Sequence, residues 1–356
     1  MHTGDDTTVH DPSLIARPRS LPLPLLPGGA LNALSVIYKT VSLILLKLKS
    51  LNQKHYPEVF IISVDNLSFG GTGKTTLVTE IARHLEKNHI KFAIVMRGYK
   101  SQFENKGIKV QPHHNAREVG DEANLFRTRF PGQDIYVGKN RRRSIGHAIR
   151  DKNKIILLDD GFQTTNVYKD FKIMLVNPRH PFYYLRNFKF LMNQEDVLLF
   201  YKTPAKSKCD KYWQPGGPVC GTYDFDLEHF YDAEGKEADS RVFSASIVGF
   251  SALGDNWRFR GDLSRFQGVQ LVDFHGFRDH HAYSEEEINA LNRRRIALKA
   301  DYLVCTEKDF IKIKYLDLLN FRQIPLIYVR NSIKFNVDLI GHIMMKYAKK
   351  NEQDNR

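Results

Sequence analysis

Between Leu31 and Leu51 apolar side chains recur at Leu34, Ile37, Tyr38, Val41, Ile44, Leu45 and Leu48, while Asn32, Ser35, Lys39, Ser42 and Lys49 gather opposite. That spacing predicts an amphipathic helix. Its longest unbroken apolar run is Leu43-Ile44-Leu45-Leu46, far short of the ~18 residues a membrane span needs. Two placements remain open: an interfacial helix with Lys39, Lys47 and Lys49 toward anionic headgroups, or a helix packed on the protein's own core. The preceding residues 1–30 carry Asp5, Asp6 and Pro12, Pro18, Pro22, Pro24 and Pro27, which predicts a flexible tail. The ordered regions of a secretory signal are not seen there.

After Pro57 short apolar runs alternate with longer helical stretches. The expected strands are Val59 to Val64, Phe92 to Met96, Lys154 to Asp159, Phe171 to Val176 and Asp196 to Tyr201, with helices near Lys74 to Lys87 and Asn140 to Arg150. This alternation predicts an α/β fold with a doubly wound, mostly parallel sheet. Residues 204–240 turn to Pro, Gly, Lys and Asp, which places an inter-domain connection there. A second, smaller α/β unit is expected over 241–350. Its strands lie near Arg241 to Ile247, Val269 to Phe274, Tyr302 to Thr306 and Leu326 to Val329, and its helices near Ser284 to Leu298 and Val337 to Lys349. The expected organisation is therefore a tail (1–30), an amphipathic helix (31–55), a first α/β domain (56–203), a connection and the second unit.

Composition adds a sign to this picture. The 356 residues hold 53 Lys+Arg against 40 Asp+Glu, a net charge of +13, which points to an anionic partner without choosing among nucleic acid, phospholipid and phosphorylated substrate. Neither an aromatic-basic RNA motif nor a recognition-helix pattern is present, so nucleic acid is not expected. The runs Arg141-Arg142-Arg143 and Arg293-Arg294-Arg295 read as solvated helix faces. Cys209, Cys220 and Cys305 are sparse, odd in number and lack close spacing. They favour a reducing cytosolic setting over a disulfide framework or zinc site.

The sharpest local signal is Ser68-Phe69-Gly70-Gly71-Thr72-Gly73-Lys74-Thr75, placed after a strand and opening a helix. Glycines let successive backbone N–H groups turn inward around phosphate oxygens at a helix N-terminus. Lys74 is then placed to reach the β- and γ-phosphates and Thr75 to hold Mg²⁺. Ser68 stands where the strict Walker A pattern has glycine. The apolar run KIILLDD ends in Asp159-Asp160 and delivers carboxylates to the sheet edge where such folds bind ligands. A magnesium ion is accordingly expected on Thr75 and an acid of that pair, Asp159 first.

Three further segments follow in order: Val119-Gly120-Asp121-Glu122, Phe277-Arg278-Asp279-His280-His281 and Thr306-Glu307-Lys308-Asp309. Each alone suits a cap, a turn or a solvated loop. Together with the loop, Asp159-Asp160-Gly161-Phe162-Gln163 and Met96-Arg97-Gly98-Tyr99-Lys100, the sequence resembles the tetraacyldisaccharide 4'-kinases over roughly residues 31 to 330. The resemblance implies ATP- and Mg²⁺-dependent phosphorylation of the 4'-hydroxyl of a tetraacylated disaccharide 1-phosphate, forming lipid IVA. It also implies a peripheral enzyme at the cytoplasmic face of the inner membrane, with the 31–51 helix directed to an anionic bilayer. By the same resemblance Asp121 takes the catalytic acid's place and His280 its partner's, with Lys74 and Asp160 beside them. The chain departs from the family pattern at Thr164, where histidine is usual, and over 178–190, where Arg186 and Asn187 stand in the altered text. Those departures leave two alternatives: a divergent kinase of another membrane glycolipid, or a nucleotide-binding paralogue without transfer activity.

Overall fold

The computed structural model describes residues 52–66, 73–161, 164–177, 195–202, 217–314, 316 and 324–354. The expected tail, the 31–51 helix, the loop residues Ser68, Phe69, Gly70, Gly71 and Thr72, and the 178–190 stretch lie outside these. Residues 52–55, placed by sequence at the end of the helical segment, are not helical; Lys54 instead bridges to Val167.

The first half runs β1 (Phe60–Asn66), α1 (Lys74–Lys87), β2 (Phe92–Met96), β3 (Ile108–Lys109), α2 (Ala116–Val119), α3 (Asp121–Arg129), β4 (Asp134–Val137), α4 (Arg141–Arg150), β5 (Ile155–Asp159), β6 (Phe171–Val176) and β7 (Val197–Tyr201). The second half runs β8 (Val219–Tyr231), β9 (Ser246–Ser251), α5 (Asn256–Arg265), β10 (Gln270–Gly276), α6 (Glu285–Ala297), β11 (Tyr302–Thr306), α7 (Glu307–Ile313), β12 (Leu326–Phe335) and α8 (Leu339–Asp354). The strands form one 12-stranded sheet in the order β10-β9-β11-β12-β8-β7-β6-β1-β5-β2-β4-β3. Only the β12–β8 and β3–β4 pairs are antiparallel.

Alternate residues of the central strands serve opposite faces. On one face Ile62, Val64 and Leu157 pack with Leu77, Val78 and Ile81 of α1 and Phe126 of α3. On the other, Ile61, Ile156 and Leu158 pack with Ile145 and Ala148 of α4. A strand buried on both faces reads as a continuous apolar run, which is why β2, β5 and β6 are legible in sequence. Truncating such a side chain, Ile62→Ala for example, costs about 2–5 kcal/mol. The second half repeats the arrangement: Phe250, Ile288 and Phe310 lie on one face, and Ile247, Phe259 and Val304 on the other.

Three expectations are corrected. Residues 219–231, assigned to the connection, form the longest described strand, hydrogen-bonded to β7 on one side and β12 on the other. The strand expected at 241–247 begins later, because 240–244 make a 3₁₀ turn capped by Asp239. Arg141 does not lie on a solvated face: it is buried and donates to the Gly138 carbonyl.

Candidate active site

The site collects where β1 and β5 end and α1 begins. Gly73 takes the left-handed φ of 88° that turns the chain into α1, and Lys74 follows as the first helical residue. Its Nζ donates to Asn66 Oδ1 at 3.1 Å, at the end of β1, and to Asp160 Oδ1 at 3.3 Å, just past β5. Burial opposes the ammonium charge, yet Asp160, Asp159 and Glu122 outweigh it and raise the Lys74 pKa. Thr75 Oγ1 donates to Glu122 Oε1 at 3.0 Å, so the helix that begins at Asp121 fixes the hydroxyl expected at the metal.

Asp159 is buried, and its Oδ1 finds no hydrogen-bond partner among the described residues. Burial first, then the nearby Glu122 and Asp160 carboxylates, push its pKa up to about 8. An orphaned carboxylate oxygen and a threonine hydroxyl, both close to Glu122, are the donor chemistry Mg²⁺ takes, with phosphates and waters completing its shell. Among the described residues no cluster of three or more His, Cys, Asp or Glu forms an all-protein cage. The residues present therefore fit a magnesium ion that arrives with a nucleotide.

Asp121 begins α3, and His280 lies in the turn after β10 with a positive φ of 60°. The structure joins them across the two halves: His280 Nδ1 is 3.2 Å from Asp121 Oδ2. Lys312 Nζ, from α7, lies 3.2 Å from the same oxygen and donates to the His281 carbonyl at 3.1 Å. Burial raises the Asp121 pKa, but the His280 hydrogen bond, Lys312 and Lys308 prevail and hold it below the usual carboxylate range. The helices α3 and α7 are tied again at their other ends, where Arg129 Nε donates to Glu307 at 2.6 Å and Arg330 Nε to its second oxygen at 3.0 Å.

A cleft of about 220 Å³ runs between the halves; Lys74, Thr75 and Glu122 line one wall and Arg258, His280 and Lys308 the other. A wider cleft of about 800 Å³ lies beyond Asp160 and is lined by Arg97, Lys139, Arg141 and Arg142. Burial lowers the Arg141 pKa to about 10, with Asp159 and Asp160 supporting its charge. The two clefts approach each other at the Lys74–Asp160 pair.

The structure thus brings Lys74, Thr75, Asp159 and Asp160 to one strand edge and sets Asp121 against His280. Sequence reasoning missed Lys312, although it sits on the helix that Thr306-Glu307-Lys308-Asp309 opens, and it passed over Glu122 beside Asp121. Both were detectable only as neighbours of motifs already singled out.

Comparison with known proteins places the chain in a family and matches its fold. The family model described as tetraacyldisaccharide-1-P 4'-kinase (LpxK) matches residues 29–347. A tetraacyldisaccharide 4'-kinase of Syntrophotalea carbinolica is 29% identical over 76% of this chain and 78% of its own length. That of Halothermothrix orenii is 27% identical over 89% and 92%. A crystal structure of LpxK from Aquifex aeolicus in complex with ATP superposes with a TM-score of 0.67 at 22% identity, covering 90% of this chain and 98% of that one, which establishes the shared fold. With its fold matched and the family model extending over most of its length, the chain belongs to the tetraacyldisaccharide-1-P 4'-kinase family.

Proposed function

We propose that this chain transfers the γ-phosphoryl group of ATP to the 4'-hydroxyl of an acylated disaccharide 1-phosphate, with Asp121 and His280 acting on the acceptor hydroxyl. The observation that carries the reading is the 3.2 Å Asp121–His280 contact at the cleft that Lys74 and Thr75 also line. Nucleotide binding alone has no need of such a pair, which speaks against a paralogue without transfer activity.

Phosphoryl transfer has a loose transition state, so the protein's work is alignment and charge neutralisation. Lys74 faces the transferring group and stabilises its growing negative charge. Asp121, kept ionised, accepts the hydrogen bond of the 4'-hydroxyl through the oxygen that His280 and Lys312 leave free. As the new P–O bond to the sugar forms, the bond to the ADP oxygen breaks and the hydroxyl proton passes to Asp121, with His280 beside it to share that proton. Thr75 and Asp159 would hold Mg²⁺, which when bound neutralises phosphate charge. The cationic cleft beyond Asp160 suits the acceptor's 1-phosphate.

No described helix is long and apolar enough to cross a membrane. The proposed location is peripheral, on the cytoplasmic face, with the amphipathic sequence of residues 31–51 as the contact to an anionic surface. Release of ADP only when the disaccharide 1-phosphate lipid is supplied supports this function. Release with a different glycolipid, and none with this one, assigns the chain to another acceptor.

A further inference from the structure

Arg258 stands in the first turn of α5 and lines the cleft opposite Lys74 and Thr75. Its guanidinium carbon lies 4.1 Å from the centroid of the Phe225 ring. The same ring presses on Gly73, where a Cβ would meet ring carbons at 2.4 Å. Loop glycine, phenyl ring and guanidinium are thus stacked in series, from the first half of the sheet to the second.

Other arginines around this cleft are neutralised by carboxylates: Arg129 and Arg330 share Glu307, and Arg83 pairs with Glu228. Arg258 is different. Its Nε is buried and has no hydrogen-bond partner among the described residues. The acids closest to it in sequence make their direct contacts elsewhere: Asp255 accepts from the Arg258 backbone N–H at 3.0 Å, and Asp262 pairs with Arg265 at 3.1 Å while feeling the Arg258 charge only at longer range. A half-buried guanidinium with an unpartnered Nε and no direct ion pair among the described residues gains from an anion that a ligand brings.

We propose that Arg258 is a nucleotide-binding residue contributed by the second half of the sheet, its guanidinium taking oxygens of the ATP phosphate chain. The inference rests on the reading of this cleft as the ATP site. The planar guanidinium matches phosphate oxygens two at a time, and that contact is stronger than the cation–π stack it replaces. Lys74 would then hold the chain from one wall and Arg258 from the other, so bound nucleotide also draws the halves together.

The test is affinity for ATP, ADP and adenosine, measured with the full chain in Mg²⁺. Arg258→Ala should weaken ATP and ADP by about tenfold or more and leave adenosine within about twofold, because only charge-assisted contacts are lost. Arg258→Lys should recover part of the loss. Equal weakening of all three ligands would assign Arg258 to the base or to the fold, and no weakening of any would remove it from the site; either overturns the proposal. If the alanine variant does not fold, Arg258→Gln takes its place under the same criteria. Lys74→Ala, run alongside, separates the two levels: undiminished ATP binding there would overturn the ATP-site reading itself. ATP lost in Lys74→Ala but kept in Arg258→Ala would overturn only the role of Arg258.

Discussion

Lys312 Nζ and His280 Nδ1 meet the same oxygen of Asp121, each at 3.2 Å, so Oδ2 is held from both sides by elements of the second half. Lys312 is nearly buried, with 8% of its side chain exposed. Its second bond, to the His281 carbonyl, ties down the turn that carries His280. A single ammonium group therefore touches both Asp121 and the turn that carries His280 and, after the His280 hydrogen bond, helps to keep the carboxylate charged.

The first expected outcome concerns pH. The Asp121 pKa is held below the ordinary carboxylate range, so its charge and the stability tied to it are present above the unfolded value and lost as pH falls through the folded one. Lys312→Met removes one cause of the depression and should move the acid limb of the transfer rate to higher pH, while Lys312→Arg should restore it. An unmoved limb in Lys312→Met would limit Lys312 to a packing role.

Lys74→Ala should lower phosphoryl transfer by about a hundredfold or more, the usual scale for removing a charge partner of the transferring group. The fold should persist, because Asp160, its carboxylate partner, is 42% exposed and can be solvated. Steady-state turnover with a circular dichroism control checks both parts.

Asp121→Asn and His280→Ala should each depress transfer far more than ATP affinity. If the pair acts as one unit, the double variant should be little worse than either single one. Additive losses would mean separate roles and move attention to Asp160, which lines the acceptor-side cleft.

Asp159 supplies a second pH signature, of opposite sign. Its folded pKa of about 8 exceeds the unfolded value, so its contribution to folding stability is present below the unfolded value and is lost as pH rises toward about 8. Binding of Mg²⁺ with ATP should release this proton and tighten as pH rises over the same window. Asp159→Asn should flatten that dependence and raise the Mg²⁺ requirement, as read by calorimetry in buffers of different ionisation enthalpy.

Removal of residues 1–51 should release the protein from anionic vesicles and leave ATP binding intact. Retained vesicle binding would place the membrane contact elsewhere. An insoluble truncation would favour a helix packed on the core.

How far the sequence carries can be traced element by element. Helix α1, β2 and β6 coincide with their sequence expectations because each is an apolar pattern bounded by breakers or polar turns. Strand β8 escaped because its text, VCGTYDFDLEHFY, interleaves acids with aromatics and follows a Pro-Gly run; its side chains alternate between core and partly exposed positions. The Gly73-Lys74-Thr75 end of the loop and Asp159-Asp160 stood out as motifs, whereas the pairing of Asp121 with His280 came from the family resemblance. Lys312 and Arg258 came from neither, since their meaning comes from a carboxylate and a phenyl ring distant in sequence and brought to them by the sheet.

Everything proposed for this cleft turns on phosphoryl transfer from ATP to a sugar hydroxyl through Asp121. Its most direct test incubates purified protein with ATP, Mg²⁺ and tetraacyldisaccharide 1-phosphate in mixed micelles, followed by mass and fragment analysis of the lipid. Wild-type protein should add one phosphate at the 4' position, and Asp121→Asn should show a large deficit. A lipid left unmodified by the wild type, or modified equally well by Asp121→Asn, would contradict it.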